Sequence, residues 1–347
     1  MSTFNKLEPS DFIISADAIS APMWSTQAAT LTTFFTSSTQ EIGSSGKFYL
    51  TIYQTSSILS NAEAQFDITY GNAAGSGSLV YNSAVDGLSP TSTIFGQYQD
   101  LILGDENTNF TFGSLTSPEF YALSFERARY KQSIIPGSLT LRINGPIAAS
   151  GSVTLTDNSA YISSTTFTGA GRVFQLISGS AGTVNTSKQS DGYTIDSGSY
   201  GWLLPDIGTI LINPRALAAP TASGGIGFTY SGSASGSGAP IMSPMVSLYQ
   251  AMSASANFQL NSQETVTANY IFIRAKSSEF NYSENPSFIS GSTGEILYNS
   301  FINNPQTYIT TVGLYNDTNE LLAVAKLSRP LPKDFTSEAL IRVKLDF

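Results

Sequence analysis

Catalytic chemistry in this sequence is restricted to carboxylates. The chain of 347 residues contains no histidine and no cysteine. This composition excludes a Ser-His-Asp or Cys-His catalytic arrangement, a histidine-ligated zinc site and a disulfide framework. The densest group of oxygen-bearing side chains is Asp105-Glu106-Asn107, followed by Asn109. These side chains could hold a calcium ion or, paired with a distant acid, serve a glycoside hydrolase.

Turns explain the acidic segments better than sites do. Asp and Asn favour turns because their side chains hydrogen-bond to the nearby backbone, and residues 104–109 follow a predicted helix. Asp191 and Asp196 lie in DGYTIDSG, which lacks the DxDxDG pattern of a calcium loop. No GxxxxGK[ST] motif or strand-linked GxGxxG motif is present. We therefore predict a protein that is not an enzyme and that binds no cofactor and no metal.

The densest positive cluster is Arg127, Arg129 and Lys131 in FERARYKQS. Arginine pairs with carboxylates through its planar fork, so this cluster could dock an acidic surface of a partner subunit. An equally weighted alternative is a strand end whose charges are neutralised locally by Glu126 and by solvent.

The charge balance bears on the class of partner. Lys and Arg together number 16, Asp and Glu number 25, and the net charge is −9. Nucleic-acid binding needs clustered cations, so this balance argues against it. Charged residues make up only 12% of the chain, about half the usual share. A neutral, hydrogen-bonding surface of this kind suits a protein covered by its neighbours.

The segments that must position these side chains are mostly predicted strands. Alternating apolar residues mark strands at 47–53, 62–70, 119–125, 138–143 and 270–274. Further core pieces are predicted at 172–177 and at 207–212, the second an apolar run of strand length. A short helix is predicted at 93–103, from Ile94, Tyr98, Leu101 and Ile102, with Gly104 closing it. A second one is predicted at 244–256. The expected fold is all-β, an antiparallel sandwich or barrel architecture in several domains.

Composition divides the chain into three parts. We predict an N-terminal β-domain at 1–145, an inserted Gly/Ser/Ala-rich β-domain at 146–249 with a linker at 224–240, and a C-terminal β segment at 250–347 that could complete the first domain. The N-terminus lacks the pattern of a secretory signal, and no apolar run reaches the roughly 20 residues of a membrane span. We expect synthesis and retention in the cytoplasm.

The C-terminal segment predicts a β-hairpin. Residues 308–315 and 320–327 are apolar and β-branched or aromatic, and the Asn/Asp/Thr cluster between them is typical of a tight turn. Pro330 and Pro332 are expected to end the second strand, because proline gives no ladder donor. Residues 341–347 alternate as a half-buried strand does. An internal core hairpin is slightly favoured over one that adds to another chain.

The same segment carries a resemblance to known proteins. VGLYNDTNELLAVAKLSRPLPKDF resembles the strand, turn and strand near the ends of tail-fibre and baseplate proteins of contractile-tailed bacteriophages. Three other passages of the chain resemble virion proteins of the large cyanophage-type contractile-tailed phages. These are FNKLEPSDFIISADAISAPMWS, FERARYKQSIIPGSLTLRI and FIRAKSSEFNYSENPSF.

The resemblance implies a non-enzymatic structural subunit of a virion, placed in the tail or baseplate after synthesis in the host cytoplasm. Its partners would be other virion proteins and copies of itself. Its contact residues would come from the basic cluster and the hairpin: Arg127, Arg129, Lys131, Tyr308, Leu314, Tyr315 and Leu321.

Three alternatives stay open. One is a receptor-binding fibre or spike that binds host polysaccharide, for which residues 279–288 (EFNYSENPSF) are the first place to look, because Asn, Tyr and Pro interrupt the strand pattern there. Another is a neck or capsid-exterior protein. The third is a carboxylate-based hydrolase of cell-wall or capsule sugar that uses Asp105 or Glu106.

Overall fold

The computed structural model describes residues 5–37, 49–75, 90–145, 151–185, 199–229, 243–283 and 285–346. About 44% of these described residues lie in strands and 14% in helices, which confirms the predicted all-β class with few helices. In chain order, the strands are β1 (Phe12–Pro22), β2 (Thr30–Leu31), β3 (Tyr49–Tyr53), β4 (Ala64–Asn72), β5 (Phe110–Phe112), β6 (Leu115–Ser117), β7 (Glu119–Phe125), β8 (Ser133–Ile134), β9 (Thr140–Asn144), β10 (Ser152–Asp157), β11 (Thr166–Thr168), β12 (Gly171–Ser180), β13 (Thr183–Val184), β14 (Gly201–Leu204), β15 (Thr209–Ile212), β16 (Phe258–Gln259), β17 (Asn261–Ala275), β18 (Thr307–Tyr315), β19 (Leu321–Lys333) and β20 (Ala339–Asp346).

The helices of the described residues are short. They are α1 (Thr91–Leu103), α2 (Pro214–Ala218), α3 (Ser243–Ser253) and α4 (Asn299–Asn303), with 3-10 turns at Pro9–Asp11 and Thr221–Ser223. Helices α1 and α3 confirm the two predicted from sequence. Gly104 ends α1 in the left-handed region with φ of 71°, as a C-terminal glycine often does. The buried face of α1 is Phe95, Gln99 and Ile102, one residue away from the predicted face, so that Leu101 is exposed.

The chain divides into two compact units, which are Ile19–Glu264 (the large unit) and Met1–Ala18 with Thr265–Phe347 (the small unit). The large unit is built on a twelve-stranded sheet with the order β2-β16-β9-β10-β12-β14-β15-β7-β4-β3, to which β11 and β13 add beside β12. Leu31, Leu50 and Leu176 come from the two ends and the middle of this order, yet they lie in one buried cluster. The sheet therefore curls around a single core.

Both faces of the central strands are covered. Helix α1 and the β5–β6 hairpin pack on the outer side of the sheet, where a second apolar cluster forms. Strands β14 and β15 are consequently buried at every position. A strand buried on both faces has no polar side to alternate with, which explains the sequence GWLL and the apolar run that follows Thr209 in TILI.

The small unit contains a sheet of order β1-β17-β20 and the hairpin β18–β19. Strands β17 and β20 pair antiparallel, with Ile271 opposite Val343 and Ile273 opposite Ile341. Apolar residues of the hairpin pack against this face. The alternation predicted from residue 341 onward is confirmed up to Asp346, and Phe347 lies outside the described residues.

The structure divides the chain at other places than composition does. Strand β9 precedes the predicted boundary at residue 145, and β10 follows it. The two strands nevertheless pair with each other, with Val153 opposite Ile143. Strands on the two sides of the predicted boundary therefore share one sheet, because a change in surface composition does not interrupt strand pairing. Of the predicted linker, residues 230–240 lie outside the described residues.

The prediction that proline ends the second hairpin strand was wrong. Strand β19 continues to Lys333, with Pro332 opposite Tyr308. The hairpin has only two strands, so each strand keeps a free edge. A proline whose nitrogen faces a free edge removes no ladder hydrogen bond. Pro330 lies in the irregular segment where the pairing register shifts between Ile309 and Thr311.

Candidate functional site

The hairpin β18–β19 confirms the pairing and turn predicted from sequence. Gly313 lies opposite Val324 and Leu314 opposite Ala323. In the turn, Oδ1 of Asn316 accepts hydrogen bonds from the backbone N–H groups of Thr318 at 3.1 Å and Glu320 at 2.7 Å. The side chain of Asn316 thus replaces a backbone acceptor, which is how Asn favours turns.

The two faces of the hairpin differ in burial. Ile309, Val312 and Leu314 point toward the sheet of the small unit and join its core. The opposite face leaves large apolar side chains in solvent. Their exposed fractions are 60% for Tyr308, 45% for Tyr315, 52% for Leu321, 68% for Leu322 and 59% for Val324.

The predicted hairpin contacts therefore fall into two groups. Tyr308, Tyr315 and Leu321 are exposed to solvent, whereas Leu314 is half-buried within its own unit. A groove of about 790 Å³ is lined by residues of the hairpin, of the sheet and of the N-terminal segment, with Leu7, Phe12 and Phe280 among them. An internal role and an external role are compatible, because each uses a different face.

A buried lysine anchors the base of the hairpin. Lys333 has no exposed surface, and its Nζ donates to the carbonyl oxygens of Ser277 at 3.1 Å and Asp334 at 2.7 Å and to Oδ1 of Asn281 at 2.8 Å. These three acceptors satisfy all three donors of the ammonium group. The end of β19 is thereby fixed to the segment that follows β17.

The predicted basic cluster makes its contacts within the large unit. Arg129 pairs with Glu63 at 2.7 Å and is only 17% exposed, and Lys131 pairs with Glu264. Nη1 of Arg127 donates to the carbonyl oxygen of Tyr130 at 3.2 Å, and its guanidinium lies 4.6 Å from the centre of the Tyr130 ring. Both neutralising acids, Glu63 and Glu264, are distant from the cluster in sequence, and neither is the predicted Glu126. The partner-docking role of the cluster stays a prediction.

A second group of cations, which sequence reading missed, lies on the small unit. In the β17–β20 register, Tyr270 is opposite Lys344, Phe272 opposite Arg342 and Arg274 opposite Leu340. These residues alternate with the buried Ile271, Ile341 and Val343. Side chains alternate along a strand, so the six residues share the face turned away from the hairpin. We call this surface, Tyr270, Phe272, Arg274, Leu340, Arg342 and Lys344, the outer face.

The outer face combines cations with aromatic rings. The Arg342 guanidinium lies 5.4 Å and Lys344 Nζ 5.9 Å from the centre of the Tyr270 ring. Lys344 also pairs with Asp346 at 2.8 Å, and its pKa is raised by the hydrogen bond to Asp346. Alternation in β20 was visible in the sequence, but its partner strand was not. That Arg274 and Arg342 lie next to each other on one face therefore could not be predicted.

The acidic run after α1 forms a turn, as the sequence predicted. Oδ1 of Asp105 accepts from the backbone N–H of Asn107 at 2.9 Å, and Oδ2 accepts from the Thr108 hydroxyl at 2.9 Å. These hydrogen bonds lower the pKa of Asp105, the opposite of the raised pKa that a catalytic general acid needs. Glu106 and Asp100 line a polar depression of about 550 Å³ beside α1.

The segment proposed for sugar contact is a loop that follows β17. Phe280 is 41% and Tyr282 is 47% exposed, whereas Asn281 is buried by its contact with Lys333. Glu279 is held by the backbone N–H of Lys276 and by the Asn5 side chain. Asp191 and Asp196 lie outside the described residues.

Searches for known relatives gave no match among protein-family models, curated proteins or solved structures. Within the described residues, no cluster of three or more acidic side chains is arranged to hold a metal ion. In that same part of the chain, no helix is long and apolar enough to cross a membrane.

Proposed function

We propose that this chain is a non-enzymatic structural subunit of a bacteriophage virion, placed in the tail or baseplate. It assembles there through contacts with other virion proteins and with copies of itself. The observation that carries the proposal is the outward face of the hairpin. Its residues belong to the segment that resembles the ends of phage tail-fibre and baseplate proteins.

The physical support is that this face of the hairpin exposes large apolar side chains to water. Leu322 and Val324 are 68% and 59% exposed on adjacent outward positions of one strand. Neighbouring exposed apolar side chains are typical of a surface that another protein covers. The low charge of the chain, 12% of its residues, fits a subunit that is surrounded by neighbours.

The test is to purify phage particles whose genome encodes this chain, to measure its copy number, and to place it in a density map. The proposal expects a fixed stoichiometry and a position in the tail or baseplate, with the hairpin against another subunit. Absence from purified particles would contradict it.

A second candidate is a fibre or spike that binds host polysaccharide, favoured by the exposed rings of Phe280 and Tyr282. Aromatic rings stack on sugar faces, so saturable binding on a glycan array should be lost in Phe280→Ser with Tyr282→Ser. Tyr161→Ser is the matched control, because Tyr161 is an exposed tyrosine of the large unit. Equal binding by all variants would remove this candidate.

A further inference from the structure

Two guanidinium groups on the outer face form no ion pair with a described residue, unlike Lys344, which pairs with Asp346. The structure gives the Arg274 side chain no hydrogen bond or ion pair with any described residue, and Arg342 has only its contact with the Tyr270 ring. Arg274 and Arg342 are diagonal neighbours in the β17–β20 register, a spacing that long side chains still reach across, so their like charges repel each other. Such a pair is relieved by an anion from elsewhere, since arginine pairs with carboxylates through two parallel hydrogen bonds.

The hairpin tip, Tyr315 to Leu322, has the complementary chemistry. It carries two carboxylates, Asp317 and Glu320, and no cation. Glu320 is engaged by the Asn316 amide at 2.7 Å, whereas the Asp317 side chain is exposed. The exposed Leu321 and Leu322 follow directly.

The hairpin tip cannot reach the arginines on the outer face of its own chain. Its inward side packs against Ile271 and Ile341, on the opposite side of the same sheet. A β-sheet separates the two surfaces, so the tip that fits the outer face must come from another molecule.

We propose that the hairpin tip of one copy docks on the outer face of a second copy. The carboxylate of Asp317 pairs with Arg274 and Arg342, and Leu322 packs on Leu340 and Phe272. Because the two surfaces differ, the contact is head-to-tail and repeats into a ring or a row. The inference deepens the proposed function by naming a partner of the assembly.

Charge favours a protein partner over nucleic acid. The chain as a whole has a net charge of −9, which repels a polyphosphate. A carboxylate on a small loop meets the local field of the outer face, where Arg274 and Arg342 stand beside Lys344 and its partner Asp346, because charges more than a Debye length away are screened at physiological salt.

The test uses two variants that each remove one surface. The face variant is Arg274→Ser with Arg342→Ser, and the tip variant is Asp317→Lys with Leu322→Ser. All four positions are exposed, so both variants should fold, which circular dichroism would check. Lys326→Ser with Arg329→Ser is the control, since it removes two exposed cations from the shaft of the same hairpin.

Sedimentation velocity separates the outcomes. The unmodified chain and the control should form oligomers that grow with concentration and weaken with salt, and each variant alone should be monomeric with a dissociation constant at least tenfold weaker. An equimolar mixture of the variants should form dimers and nothing larger, because only one tip and one face remain functional in each pair. A monomeric unmodified chain, or a mixture that stays monomeric, would overturn the inference. Neither result bears on whether the chain is found in particles.

Discussion

At the residue scale, two aspartates respond to their surroundings in opposite directions. Burial alone would raise the pKa of Asp206, but hydrogen bonds from the Arg172 side chain and backbone outweigh it and lower the pKa. Nη2 of Arg172 lies 2.6 Å from Oδ1 of Asp206, and the Arg172 backbone N–H donates to Oδ2 at 2.8 Å. The pair joins the start of β12 to the turn between β14 and β15.

We predict that Asp206→Asn lowers the free energy of unfolding by about 1 kcal/mol at neutral pH. This is below the roughly 1.5–3 kcal/mol of a hydrogen bond to a charged group, because solvent partly screens the pair. A lowered folded pKa means that this contribution is present above the ordinary value of 3.8 and is lost as pH falls below it. Urea unfolding at pH 7 and near pH 3 measures both. A loss that is larger at acid pH would contradict the prediction.

Asp67 behaves in the opposite way. Burial raises its pKa, with Glu126 adding to the effect and the Thr51 hydroxyl opposing it. Oδ1 of Asp67 has no hydrogen-bond donor among the described residues. Keeping this carboxylate ionised therefore destabilises the large unit at neutral pH.

We predict that Asp67→Asn raises the free energy of unfolding at pH 7 by roughly 1 kcal/mol, the size of an ordinary single substitution. With a raised folded pKa, the native protein is stabilised by the proton at low pH and loses that advantage as pH rises from 3.8 through the folded value. The gain should therefore shrink in acid. Melting curves at several pH values test it, and a variant that is less stable at pH 7 would disprove it.

At the scale of elements, the hairpin depends on one buried cation. Lys333→Met would keep the length of the side chain but leave Oδ1 of Asn281 and the Ser277 carbonyl oxygen without their donor. Losing the donor to a buried acceptor costs about 1–3 kcal/mol. We predict faster amide hydrogen exchange at the base of the hairpin and in residues 277–283. Lys326→Met, at an exposed position of the same strand, should leave exchange unchanged, and equal exchange in both variants would refute the anchoring role.

Two glycines differ in whether the backbone requires a residue without a side chain. Gly201 has φ of +146°, and a Cβ there would lie 1.9 Å from the Leu211 carbonyl oxygen, whereas Gly96 in α1 has open space around it. We predict that Gly96→Ala stabilises by about 0.5–1 kcal/mol, as in other helices. Gly201→Ala should destabilise by more than that amount, because the backbone must move. Thermal unfolding compares the two, and a shift of the same sign in both would contradict the argument.

Local elements were predictable because their signals are local. The Asn316 turn, the C-terminal glycine of α1 and the alternation in β20 each depend on a few consecutive residues. The continuation of β19 through Pro332 was not predictable, because it depends on which edge of the strand has no partner. Likewise, the ion pair of Arg129 with Glu63 depends on contacts between distant segments.

At the scale of the whole molecule, pairing between distant strands decides the organisation. Segments that differ in composition share the twelve-stranded sheet, and the beginning of the chain joins its end in the small unit. Amino-acid composition depends on how polar the exposed surface is. It therefore did not reveal which strands pair with each other. The outer face was hidden for the same reason, since its cations come from strands that are far apart in the sequence.

We propose that this chain is built into a phage particle. A density map of purified particles of a phage whose genome encodes the chain, at a resolution that traces the chain, tests this proposal. We expect the chain in the tail or baseplate at a fixed copy number, with Leu322 and Val324 covered by a neighbouring subunit. Particles that lack the chain, or a map in which the hairpin faces solvent on all sides, would contradict it.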